Sequence, residues 1–167
     1  MKKLRNLLFI ALLLTIATGL AARMMDGPIG PFPGGPLVHG EPVTTPVTNW
    51  LFATDVSEIE MQLAEPPRSR TTWILVSSGR GFIPCGIPSF TLWKKWPHEA
   101  MLDGRAIIRI RNQLHRVQLT RVDDADLHAT LSRELERKYG AGTSDPESVW
   151  MFRIDPSRTG WRFGDET

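Results

Sequence analysis

The chain has 167 residues, a formal net charge of +2 and one cysteine, so an internal disulfide is excluded. The positive excess sits at the start. Lys2, Lys3, Arg5 and Arg23 precede every acidic residue, and residues 24–167 carry 16 basic against 18 acidic side chains, a net of −2, which argues against a nucleic-acid-binding body.

Lys2, Lys3 and Arg5 lead into an uncharged stretch, Asn6 to Ala22, centred on LLFIALLL. A short positive region before an apolar run is an export signal. The 16 residues from Leu7 to Ala22 fall just short of the roughly 17 needed to span a bilayer. Asn6 and a snorkelling Arg23 extend the run. The expectation is a retained anchor over residues 1–23, N-terminus in the cytosol and body outside, because the basic residues concentrate before the run. The small residues Gly19 and Ala21 keep cleavage open as the alternative, which would release the body as a secreted or periplasmic protein. Residues 24–46 are read as a tether. Between Gly27 and Pro46 stand six prolines and five glycines, which remove backbone donors and make ordering costly. A loop wrapped over the domain surface is the other reading.

The domain is placed at 47–156, followed by a tail at 157–167. Its periodicity is mainly two. Ile59, Met61 and Leu63 alternate with polar neighbours over Ser57 to Ala64, and Asn49 to Thr54 is expected to pair with that strand. Thr71 to Ser77 reads as one central strand, turned by Gly79-Arg80-Gly81 into Phe82 to Cys85. Arg105 to Arg111 and Leu114 to Val122 form a hairpin around Asn112-Gln113. Val149 to Ile154 is the last strand. Asp123 or Asp124 caps a helix carrying Leu127, Leu131, Leu135 and Tyr139 on one stripe, and Gly140 stops it. A shorter helical piece covers Trp93 to Leu102. The fold class is therefore mainly β with α: a small six-stranded antiparallel split β-barrel with one capping helix, preceded by an N-terminal membrane helix.

Cys85 is expected to be a buried, inert thiol, and a nucleophilic Cys85 is the weaker reading. No CxxC, HExxH or paired Cys/His spacing suggests a metal site.

Two motifs carry a family resemblance. Trp96-Pro97-His98-Glu99-Ala100-Met101-Leu102-Asp103-Gly104-Arg105 is similar to a lead-in segment of the flavin- and deazaflavin-binding split-barrel proteins. These are the pyridoxamine-phosphate-oxidase-like and F420-dependent nitroreductase-like groups. The stretch from Arg121-Val122-Asp123 to Lys138-Tyr139-Gly140 resembles their closing helix. The resemblance covers about 48 residues well, Trp93 to Gly140, and their Gly-rich loop is absent; Ser78-Gly79-Arg80-Gly81 reads as a hairpin turn.

That resemblance implies a homodimer with a cofactor, FMN or deazaflavin F420, in a cleft. The residues it assigns to the cofactor are Arg70, Thr71, Thr72, Lys94, Lys95 and Trp96. Cations neutralise a phosphate and hydroxyls donate to it. Trp73, Trp93 or Trp96 would lie against the ring. His98 is the candidate proton donor. Two functions follow. One is an oxidoreductase that binds a flavin-like cofactor and reduces a small or quinone-like acceptor. The other is a non-catalytic envelope module that kept the barrel and lost the cofactor site, with a small-molecule ligand or partner protein.

Overall fold

A computed structural model describes residues 2–92, 94–143 and 145–157. Helix α1, Lys2–Ala22, is followed by β1 (Glu41–Val43), β2 (Glu58–Leu63), β3 (Ser69–Trp73), β4 (Leu75–Ser77) and β5 (Arg80–Gly86). Then come α2 (Trp96–Leu102), β6 (Arg105–Ile110), β7 (Gln113–Arg121), α3 (Ala125–Tyr139) and β8 (Val149–Pro156). All eight strands join one sheet, in the order β3-β2-β6-β7-β8-β5-β4, with β1 added in parallel to β7. The other neighbours are antiparallel.

This corrects the six-stranded expectation in three places. The run read as one strand, Thr71 to Ser77, is two strands divided at Ile74. A strand arises inside the Pro/Gly-rich segment. The expected strand over Asn49 to Thr54 is instead a 3-10 turn, Leu51–Ala53, that drives Trp50 into the core at 1% exposure. Nor does the ladder close: β3 and β4 are its two ends, and β3 pairs with β2 but not with β5.

The interior follows from alternation. Ile59, Met61 and Leu63 of β2 meet Ala106, Ile108 and Ile110 of β6, with Ile83, Val117, Leu119, Phe152 and Ile154 completing one cluster. Phe82, beside Ile83, faces the other way. It packs with Leu75 and Met151 against Leu131 and Leu135 of α3. That helix is capped by the Asp124 carboxylate, which accepts from Leu127 N at 2.8 Å, and ended by Gly140 at φ +64°. Two hairpins use left-handed residue pairs, Ser78-Gly79 and Arg111-Asn112. The second sits one residue earlier than expected, because Gln113 already belongs to the strand.

The break at Ile74 is held by the end of α3. The Tyr139 hydroxyl accepts from Ile74 N at 3.3 Å and lies 2.9 Å from Ile74 O and 2.5 Å from Ser57 O. Lys138 Nζ donates to Val56 O at 2.6 Å and Ile74 O at 2.9 Å. Backbone groups that the ladder leaves unpaired at the break are thus satisfied by two side chains of one helix turn.

The segment 24–46, expected to stand off as a spacer, lies on the sheet. Gln62 Oε1 accepts from Leu37 N at 2.6 Å, and Ser69 Oγ donates to Gly35 O at 2.6 Å. Leu37 packs with Ile107 and Leu114 on the outer face. The Asp26 carboxylate accepts from Val38 N at 2.7 Å and pairs with Arg109, which also pairs with Glu60. A side chain at Gly34 would meet Gly27 O at 1.9 Å, so only glycine admits this crossing. The segment cannot form a helix or a central strand, as expected. Polar side chains of the barrel satisfy its backbone instead.

At its other end the segment continues directly from α1. Ala22 is fully buried, and Gly35 N donates to Met25 O at 3.0 Å. Beyond its basic start the rest of α1 is mostly apolar on every side and largely exposed, and the helix is long and apolar enough to cross a membrane or to serve as a signal sequence.

Candidate functional site

The division at Ile74 creates a seam. Before it, β3 pairs, among the described residues, with β2 alone. After it, β4 pairs with β5 from Leu75–Phe82 to Ser77–Arg80. In a two-residue hairpin the flanking pair, Ser77 and Arg80, exchanges both backbone hydrogen bonds, so every second residue of β5 turns its backbone toward β4. Phe82 finds a partner there. Pro84 and Gly86 face the same side past the end of β4. Pro84 has no N–H to offer, and Gly86 O is taken by Lys94 Nζ.

The gap between β3 and this half of β5 is a cleft of about 600 Å³. Its walls include Arg70, Thr71, Thr72 and Trp73 on one side and Pro84, Cys85 and Gly86 on the other, with Lys94 and Trp96 at the end.

Arg70 is the unusual group in it. Register places it opposite Met61, on the interior side of β3. Among the described residues its buried Nε has no hydrogen-bond partner, and its one hydrogen bond is a long one, Nη2 to Arg68 O at 3.5 Å. The guanidinium stands 5.8 Å from the Trp96 ring centroid. Burial lowers its pKa to about 10, against the opposing pull of Glu99. A cation held this way, with an unused donor, is matched to an anion entering the cleft. Burial likewise pushes the Cys85 thiol up to about 11, with Lys94 and Arg70 pulling the other way. The thiol is thus protonated and unreactive at neutral pH.

The structure brings together five of the six residues assigned to a cofactor: Arg70, Thr71, Thr72, Lys94 and Trp96. Trp73 joins them, although its ring is stacked on Tyr139 at 4.4 Å and 3°. Trp96 is only 6% exposed and packs against Phe152, so an edge of it faces the cleft. Lys95 is not in this cleft. It lines a second groove on the far side of Trp96, against α1. His98 is not among the residues lining either cavity; its Nε2 lies 3.0 Å from Pro88 O and its ring meets the edge of Trp150. Trp93 lies outside the described residues, as does most of the tail.

Sequence reasoning missed Cys85, Gly86 and Glu58 as parts of the wall. The Pro84-Cys85-Gly86 triplet at the end of a strand was the available signal. Among the described residues no group of three or more His, Cys, Asp or Glu side chains is arranged to hold a metal ion.

No protein-family model matches the chain, and no curated protein matches its sequence. Its backbone is similar to that of several solved structures. A provisional pyridoxamine 5′-phosphate oxidase from Listeria innocua is 12% identical, with a TM-score of 0.46 over 61% of this chain and 85% of that one. A NimC/NimA family protein from Clostridium acetobutylicum is 9% identical, with a TM-score of 0.46 over 59% and 73%. An F420 reductase is 9% identical, with a TM-score of 0.37 over 60% and 85%.

Proposed function

We propose that α1 holds the protein at a membrane with the barrel outside the cytosol. In this reading the seam cleft binds a phosphorylated flavin or deazaflavin, of FMN or F420 type, used to reduce a small or quinone-like acceptor. One observation carries the reading: the buried, unpaired Nε of Arg70 beside a cleft walled by Thr72, Lys94 and two tryptophans. Those residues fit such a group. Arg70 and Lys94 would hold the phosphate, Thr72 would donate to it, and Trp73 and Trp96 would border the ring. A bound flavin would supply hydride exchange, while the chain contributes binding and the exclusion of water. His98 does not line the seam cleft, and its Nε2 lies 3.0 Å from Pro88 O, so this reading gives it no part.

Calorimetric titration of the detergent-solubilised full chain with FMN and with F420 tests this. A charge-assisted contact to phosphate contributes roughly 1.5–3 kcal/mol, so Arg70→Ala should weaken binding about 10- to 150-fold. If neither compound binds the intact chain below about millimolar, the cofactor reading fails. The binding-module reading then takes its place. It already has one observation in its favour: Trp73 is covered by Tyr139 and Trp96 is almost wholly buried.

A further inference from the structure

The second groove has a composition unlike the seam. It holds about 520 Å³ between the C-terminal half of α1 and the sheet domain. One wall is α1 itself, with Thr15, Ile16, Gly19 and Leu20, and Phe32 and Leu92 extend its apolar lining. The opposite wall carries Arg68, Arg70 and Lys95, and Arg23 stands at the helix end. Four cations thus meet one carboxylate, Glu99. None of the four cations forms an ion pair among the described residues. From Thr15 to Arg23 the helix rises about 12 Å, at 1.5 Å per residue. The groove therefore runs from the polar end of an apolar helix well into its apolar length.

The neighbouring loop adds to this. Ile87, Phe90 and Leu92 stand 63%, 51% and 84% exposed, directly before Lys94 and Lys95. Apolar side chains presented singly to water are ordinary, but three in six residues of one loop, the last of them, Leu92, lining the groove against α1, add to its apolar character. Such a surface settles at the boundary between headgroups and acyl chains.

We infer that the groove between α1 and the barrel is a site for one anionic phospholipid of the bilayer that α1 crosses, with the acyl chain along Ile16 and Leu20 and the phosphate among Arg68, Arg70 and Lys95. The occupant follows from the walls. A lipid is the ligand already present along a membrane helix, and unpaired cations at the polar end select a negative headgroup over a zwitterionic one. The inference rests on α1 being retained. It does not depend on a cofactor. Arg70 and Trp96 border both cavities, so the lipid would form part of the wall of the seam cleft.

Native mass spectrometry of the detergent-solubilised full chain tests the site, with short-chain phosphatidylglycerol and phosphatidylcholine of the same chain length as probes. The expected result is one phosphatidylglycerol per chain, bound at least about tenfold more tightly than phosphatidylcholine. The double variant Arg68→Ala/Lys95→Ala should erase that preference and leave FMN titration unchanged, since neither residue lines the seam. Gly19→Leu should expel both lipids, because a side chain there grows beside Phe32. Arg80→Ala, exposed and outside the groove, should change nothing. Equal binding of the two lipids would overturn the inference, as would a preference that survives the double variant or falls equally with Arg80→Ala. The same spectra give the chain's mass. A chain recovered without residues 2–22 overturns both the anchor and the lipid site, whereas an intact chain with no lipid preference overturns the site alone.

Discussion

The core on the inner face of the sheet and the N-terminal wrap on its outer face are both buried against the same sheet, but by different means. Inside, Ile59, Met61, Leu63, Ile108 and Phe152 are excluded from water by shape alone. Outside, residues 24–46 bury little apolar side chain beyond Leu37 and are held by hydrogen bonds and ion pairs of Asp26, Gln62, Ser69 and Arg109. Apolar burial is spread over many contacts and survives small errors. The wrap depends on a few polar contacts, each of which leaves a partner unsatisfied if it is lost.

The largest way to break this comparison is Phe152→Ala. The ring is fully buried and 5.2 Å from Trp96, so its removal should cost about 3–5 kcal/mol in a denaturant titration of the full chain. A loss below about 1 kcal/mol would mean the interior is not close-packed. A smaller effect is expected from Arg109→Ala. It strips Asp26 and Glu60 of their shared partner and should cost about 1–3 kcal/mol. Amide exchange should rise across residues 26–39 while β6 and β7 stay protected. Uniform acceleration through the barrel would show that the two regions unfold as one.

The smallest effect is a pH dependence. Burial pushes the Asp26 carboxyl up, but the Val38 and His39 amides and Arg109 outweigh it and hold its pKa below the ordinary value. A depressed carboxyl contributes stability that is present above the unfolded pKa and lost as pH falls through the folded one. The wrap should thus loosen below about pH 4 and be insensitive between pH 5 and 8 as far as Asp26 is concerned. Protection of residues 26–39, corrected for the intrinsic pH dependence of exchange, that stays unchanged as the pH is lowered well below about 4 would remove Asp26 from the latch.

What was legible in the sequence was what is local. Alternation gave β2 and β6, and spacing with a cap and a glycine gave α3. The division at Ile74 was not legible, since Thr71 to Ser77 reads as one β-rich run and the groups that hold its break, Lys138 and Tyr139, come from 64 and 65 residues along the chain. Trp50 looked like part of a strand because apolar residues in a tight turn and in a strand share one composition. The wrap looked like a spacer because its partners Gln62 and Arg109 lie 25 and 83 residues away. The candidate site came mostly from family resemblance. Lys94 and Lys95 could not be told apart, since neighbours in sequence end on opposite sides of Trp96. Cys85 reads first as a core thiol, which hides its place on the cleft wall.

Pro84 has a consequence for how the free strand edges avoid unwanted pairing. A free strand edge is a template on which another chain can add a strand, and the seam exposes two such edges to each other and to neighbours. With an N–H at position 84, β3 and β5 would have one more chance to zip together and erase the cleft. The same edge would offer another grip to a foreign strand. A residue that cannot donate makes that ladder incomplete from either side. One imino acid thus both keeps the opening open and guards it against aggregation.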